Sequence, residues 1–350
     1  MPNSTNANVS TVMEESYSFT PVPRSLAIAV LVMLSILILT GASGNAFVCN
    51  LLRRHRDLRK VPHYLLASLS LTGILISLFG MPSLLTGTVV SYLQAGHLSF
   101  AEILCKIGLP FSVGCIALNA LTITLMTIDR HDCVVRPFGR RLSTENVKKI
   151  LPLTWLVAFI ITAVLLVLLR KETSVCYTWF PYNQPKSFRT KQGKFILIYL
   201  TTITQLDTQA IVLVIITFFR VIKTLRAPTI LQSASSSFHQ RQERKLTYLT
   251  FKICGTYILS RFPLIICSIV ARSEEFQGQA LNTAMLLTAT TMYSPFVLNP
   301  ILHPRMLRVR QPNLVGHFVR PAAQARPTVE NIRADGLASL NKRNVTISAT

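Results

Sequence analysis

The sequence predicts an all-α fold: a bundle of seven transmembrane helices, with an extracellular N-terminus and a cytoplasmic C-terminus. Three observations predict it. Of 350 residues, 50% are hydrophobic and only 14% charged, against about a quarter charged in soluble domains. The apolar residues gather into seven runs, at 25–52, 62–92, 101–129, 148–170, 194–222, 246–271 and 280–302. Each is long enough for the roughly 20 residues that cross a bilayer as a helix. Finally, 25 of the 36 Lys and Arg residues fall on one side of the resulting alternation. A soluble helical bundle would show polar faces, whereas residues 26–52 are apolar nearly all round.

Three domains follow: an extracellular segment 1–24, a seven-helix domain 25–303 and a cytoplasmic tail 304–350. Residues 1–23 are polar and include Pro2, Glu14, Glu15 and Pro21, so no cleavable leader is expected and span one serves as the targeting signal. Asn3-Ser4-Thr5 and Asn8-Val9-Ser10 are glycosylation sequons on that segment. Asn344-Val345-Thr346 also fits the pattern but falls in the tail.

Span one ends at a basic loop with Arg53, Arg54, Arg56, Arg59 and Lys60. Gly, Ser and Thr dilute spans two and three, as is common where membrane helices pack together. Span four is the fourth apolar run, and span five contains no proline. Spans five and six each carry one charge amid apolar residues, Asp207 in TTITQLDTQAIVL and Arg261 in TYILSRFPLIICSIV. Span seven closes the domain, and the tail lacks apolar patterning and is expected to be mostly disordered.

The net charge of +22 would suit nucleic acid if it were concentrated on a soluble domain. Its concentration in the inner loops and tail instead satisfies the rule that short Lys/Arg-rich loops stay in the cytoplasm. Anionic membrane lipid is the expected partner of that excess, and no nucleic acid is expected. Of seven cysteines, Cys49, Cys115, Cys254 and Cys267 lie in apolar spans, and Cys133 lies on the reducing side. Cys105, at the outer start of span three, and Cys176, in the second outer loop, are the two left on the oxidising side. There is no CxxC, HExxH, GxSxG or Cys/His metal spacing. Neither an enzyme nor a cofactor is expected.

Several short motifs stand in a fixed order on these runs. Gly44-Asn45-Ala46-Phe47-Val48 lies in span one, and Asp129-Arg130-His131 ends span three. Trp155 lies in span four, Pro263 in span six, and Asn299-Pro300-Ile301-Leu302-His303 in span seven. Together they resemble the rhodopsin-like (class A) G-protein-coupled receptors over roughly residues 25–303.

The resemblance implies a plasma-membrane, multi-pass receptor that passes an extracellular ligand signal to a heterotrimeric G protein. It implies a Cys105–Cys176 disulfide and a polar network of Asn45, Asn119, Asn299, Pro300 and His303. It also implies an ionic lock in which Arg130, beside Asp129, bridges to Glu243 at the base of span six. Hydroxyls in the third inner loop and tail (Ser233, Ser235, Ser236, Ser237, Thr328, Ser339, Thr346, Ser348) would be phosphorylated and recruit arrestin-type adaptors, or would serve only as linker.

Departures from the family pattern bear on function. Gly73 stands at the span-two position of an acidic residue, so the carboxylate that would hold an interior sodium ion is missing. Arg261 replaces the span-six tryptophan, and His303 and His131 replace tyrosines. A seven-helix decoy, scavenger or dimerisation partner that no longer signals is therefore the alternative reading.

Arg261 lies about ten residues, near 15 Å, from the outer end of span six, and burying it unpaired would cost at least about 2.5–3.5 kcal/mol. Away from the span ends, Asp207 is the one acid available to pair with it. The pair is read as a static bridge or as an electrostatic switch beside the Pro263 kink; otherwise Arg261 meets an anionic ligand.

Ligand-pocket candidates are Ser112, Trp179, Arg261 and Tyr293. Ser112 stands where amine-binding relatives carry Asp, and Tyr293 where retinal-binding relatives carry Lys, so neither a protonated amine nor a Schiff base is expected. Trp179 belongs to an aromatic cluster with Tyr177, Phe180 and Tyr182, after Cys176. The second outer loop carries Arg170, Lys171, Lys186, Arg189, Lys191 and Lys194 against Glu172 alone. A basic mouth would steer an acidic peptide or small anion, unless the loop only lies against lipid headgroups.

Overall fold

A chain in hydrocarbon must satisfy its own backbone, and the helix does so within one segment. The computed structural model describes residues 22–54, 61–92, 99–135, 142–170, 191–226, 237–270 and 279–310. Within these, the side chains of 91–92, 99, 191–200, 202, 203, 206, 225, 226, 237–245 and 303–310 lie outside the description. Among the described residues all regular structure is helical.

Helix α1, Arg24–Arg54, buries Ala27, Val30, Leu34, Gly41, Asn45, Val48 and Leu51 along one stripe. Its other faces present Val32, Ile36, Leu39 and Phe47 outward. An apolar exterior of this kind belongs in lipid. The hydroxyls of Ser35, Thr40 and Ser43 donate to the carbonyls of Leu31, Ile36 and Leu39, at 2.9, 2.7 and 2.7 Å, so these polar side chains can face lipid without an orphan proton.

Span two is helix α2, Val61–Leu75, a π-helical turn Ile76–Gly80, and helix α3, Met81–Tyr92. The wide turn ends two residues before Pro82, whose nitrogen has no proton to give to the helix. Helix α4, Ser99–Val135, is the axis of the bundle and packs against α2, α3, α5 and α6. A Cβ on its Gly114 would sit 3.0 Å from the carbonyl oxygen of Ala158, so glycine there permits the close approach of helix α5, Thr144–Leu169. Ser143 caps α5, its Oγ accepting from the Asn146 amide at 3.1 Å.

Helices α6, Lys191–Arg226, and α7, Ser237–Val270, form spans five and six, with Pro263 inside α7. Span seven is divided: α8, Gln279–Thr291, and α9, Ser294–Arg310, are separated by a turn at Met292–Tyr293. Helix α9 continues past the expected domain end at 303 to Arg310.

Among the described residues, the two largest apolar clusters fill much of the interior. One joins α2, α4, α6 and α7 through Leu65, Leu69, Ile123, Met126, Val214 and Tyr257. The other joins α1, α3, α8 and α9 through Leu34, Met81, Leu286, Tyr293 and Phe296. Among the described residues, five segments, α1, 61–90, 100–135, α5 and 246–270, are long and apolar enough to cross a membrane.

Candidate functional site

Three polar groups interrupt this apolar interior. The first is at the end of α4. Arg130 is fully buried, and its Nε donates to Asp129 Oδ2 at 3.1 Å. Asp129 thus orients the guanidinium of its sequence neighbour. Asp132 is also buried and faces His131 Nδ1 across 3.4 Å. The side chain of Glu243, the expected lock partner, lies outside the described residues.

The second group is central. Asp207 on α6 and Arg261 on α7 are both buried, with the carboxylate Oδ2 3.9 Å from the guanidinium Nε. Tyr257, one helical turn before Arg261, donates its hydroxyl to Asp207 Oδ1. The Arg261 guanidinium also lies 5.6 Å from the centre of the Tyr257 ring, and its Nη1 reaches Met292 Sδ at 3.6 Å. Among the described residues its Nε and Nη2 have no hydrogen-bond partner. The structure thus brings the two intramembrane charges together, but as an ion pair without a direct hydrogen bond. Close by, Ser112 on α4 and Tyr293 in the span-seven turn share a hydrogen bond of 2.8 Å.

The third group is the amide network. Asn45 Nδ2 donates to the carbonyls of Gly41, at 2.8 Å, and Phe296, at 2.7 Å, tying α1 to α9. A Cβ at Gly44 would stand 3.0 Å from Pro300 Cβ, so the same two helices touch closely there. Asn119 and Asn299 are buried as well. A Cβ at Gly73 would fall 2.5 Å from Asn45 Cγ and 2.7 Å from its Oδ1. The Asn45 amide therefore fills the space into which a carboxylate at position 73 would project. Asn45 Oδ1, Asn119 Oδ1 and Asn299 Oδ1 lack hydrogen-bond partners, but these are neutral oxygens with no acid at position 73 beside them. Without a carboxylate at position 73, this set of neutral oxygens lacks the negative charge that would offset a buried sodium ion.

Sequence reasoning missed Tyr257, Met292 and Asp132. The i, i+4 spacing of Tyr257 and Arg261 was the available signal, since it places both on one helix face. Trp155, expected from its position alone, donates to Ser68 Oγ at 3.1 Å and joins α5 to α2. Cys105 is disulfide-bonded, and Cys49, Cys115, Cys133, Cys254 and Cys267 are free. Its expected partner Cys176 lies outside the described residues, as do Trp179, Asn3, Asn8, the hydroxyls of the third inner loop and tail, and the side chain of His303.

Seven helical segments with apolar exteriors and buried polar groups between them define a multi-pass membrane bundle. The profile of the 7 transmembrane receptor (rhodopsin family) matches residues 44–303, and the chain belongs to that family. It is a family of receptors rather than enzymes, multi-pass and typically in the plasma membrane, that couples to heterotrimeric G proteins.

The chain is 21% identical over 238 residues to the neuropeptide Y receptor type 2 of Cavia porcellus, covering 65% of this chain and 59% of that receptor. It is 31% identical over 146 residues to the pyrokinin-1 receptor of Drosophila melanogaster, covering 41% of this chain and 32% of that one. The crystal structure of squid rhodopsin matches with a TM-score of 0.64 at 15% identity, covering 88% of this chain and 90% of the other. That likeness is one of fold.

Proposed function

We propose that this chain is a cell-surface receptor, N-terminus outside, that carries the signal of an extracellular ligand to a heterotrimeric G protein where α4 ends. The observation that carries the reading is the buried Asp129–Arg130 pair at that end. Removing either member of a buried pair strands the other charge, at a cost of about 3–5 kcal/mol, so such a pair marks a position under constraint. Glu243 on α7 is the acid with which Arg130 exchanges partners as α7 moves, and arrestin-type adaptors would read the phosphorylated tail.

The ligand is an acidic peptide or a small anion. One relative is a receptor named for a neuropeptide, and the basic residues of the second outer loop favour negative charge. The expected Cys105–Cys176 bridge would hold that loop across the mouth of the bundle.

The test is basal second-messenger output in transfected cells. Output that Arg130→Ala reduces to background, at equal surface expression, supports coupling. Silence with every G-protein chimera supports the second reading, a non-signalling decoy, scavenger or dimerisation partner. That reading draws on Arg261 standing in an intramembrane ion pair where the family carries an aromatic residue.

A further inference from the structure

We propose that Arg261 is a buried anion site, which takes a carboxylate group or a halide on the unpartnered edge of its guanidinium. This deepens the receptor reading above and rests on it only for the source of a ligand carboxylate.

The side chain is 4% exposed, yet its charge is poorly used. A guanidinium offers five N–H donors in a rigid fork. Here Nη1 meets only a thioether. Nε and Nη2 have no acceptor, and together they form one edge of the fork, the edge that receives two oxygens of one carboxylate side by side. Leaving a buried charged donor without an acceptor is costly.

Asp207 is close enough to neutralise part of the charge but does not fill the edge. Its Oδ2 stops 3.9 Å from Nε, and its Oδ1 is held by the Tyr257 hydroxyl. Tyr257 thus keeps the internal carboxylate off the arginine. The internal acid and an external anion compete for the same two protons.

The backbone beside the site points the same way. Arg261 abuts Met292, where span seven leaves helical geometry, and α9 begins two residues later at Ser294. Interrupted helices in membrane proteins are tolerated where they are buried in protein or line a cavity, and several transporters bind ions at such breaks. The start of α9 adds positive potential of the sign an anion requires.

The competition makes a signed prediction. Purified full-length protein in detergent is melted against rising sodium acetate, sodium benzoate and sodium chloride. The wild type should show a saturable rise in melting temperature, and Arg261→Gln should lose it, which also removes generic salt effects. Asp207→Asn keeps the shape of the acid but removes its charge, and should lower the half-saturating concentration roughly tenfold. Tyr257→Phe releases Asp207 toward Arg261 and should raise that concentration. This second variant stands in if Asp207→Asn fails to fold.

Saturation by chloride identifies a free ion as the occupant, and saturation by the carboxylates alone identifies a ligand group. The site is overturned by a wild type without a saturable response, by an unchanged response in Arg261→Gln, or by half-saturation that moves in neither variant. G-protein coupling is not read in this assay, so failure here leaves the receptor reading standing, and failure of coupling leaves the anion site standing.

Discussion

Gly73 is constrained by its neighbour. The Asn45 amide lies against its Cα, so that even a methyl group would come within 2.5 Å of Asn45 Cγ. The amide is held there by the carbonyls of Gly41 and Phe296, so it cannot step aside without giving up the link between α1 and α9. Gly73→Ala should therefore destabilise the protein by about 1–3 kcal/mol, the usual cost of overpacking. Asn45→Ala removes the obstructing amide, so the double variant should be less impaired than the two single losses combined. Thermal unfolding of the four proteins in detergent measures that difference; strict additivity would mean that the two residues do not compete for space. Their packing was not legible in the sequence. Gly73 could be read as a missing carboxylate, but not as a glycine pressed by an asparagine on another helix. Asp207 and Arg261 were legible as charges amid apolar runs, and the pairing followed from the cost of leaving either alone. The role of Tyr257 was not, because a tyrosine in an apolar span is ordinary until the facing side chain is known.

Helices here are longer than the apolar runs that announce them. Span three reads as 101–129 but the helix is Ser99–Val135, and span six reads as 246–271 but the helix begins at Ser237. Hydropathy marks the stretch bathed in lipid, whereas helical hydrogen bonding continues into the polar turns beyond it. The interruptions are also hard to read. Each leaves only a proline as its trace: Pro82 follows the π-helical turn at Ile76–Gly80, and Pro295, which has no N–H to give to the preceding turn, follows the break at Met292–Tyr293. That break places the Tyr293 hydroxyl 2.8 Å from Ser112 Oγ, so a turn in span seven is tied to the central helix α4. Tyr293→Phe keeps the ring and deletes the tie. It should cost about 0.6–1 kcal/mol in thermal stability, and Ser112→Ala should add little once the phenol is gone. A Tyr293→Phe protein that melts like the wild type would show that the turn is held by ring packing alone.

Over the whole molecule, the balance of polar and apolar surface is reversed relative to a soluble protein. Leu39, Phe159, Val167 and Leu259 are each about 70% exposed or more (71, 69, 72 and 75%), while Asp129, Arg130, Asp207 and Arg261 are buried. Such an exterior has lipid as its solvent. The seven-segment fold was legible because two rules suffice: bilayer thickness sets the length of each run, and backbone satisfaction makes each run a helix. Orientation rests on a separate argument. With the N-terminus outside, 25 of the 36 Lys and Arg residues stay on the cytoplasmic side and nine lie outside; the reverse arrangement would carry the 25 across. Each translocated cation in a short loop opposes insertion, and each retained one near the surface gains about 1 kcal/mol from anionic lipid. An epitope placed after Thr350 should therefore bind antibody only in permeabilised cells, and one placed before Pro2 should bind on intact cells. An intact-cell signal at the C-terminal epitope would invert the topology. It would place the basic loops outside, and with them the end of α4 that the receptor reading assigns to the G protein.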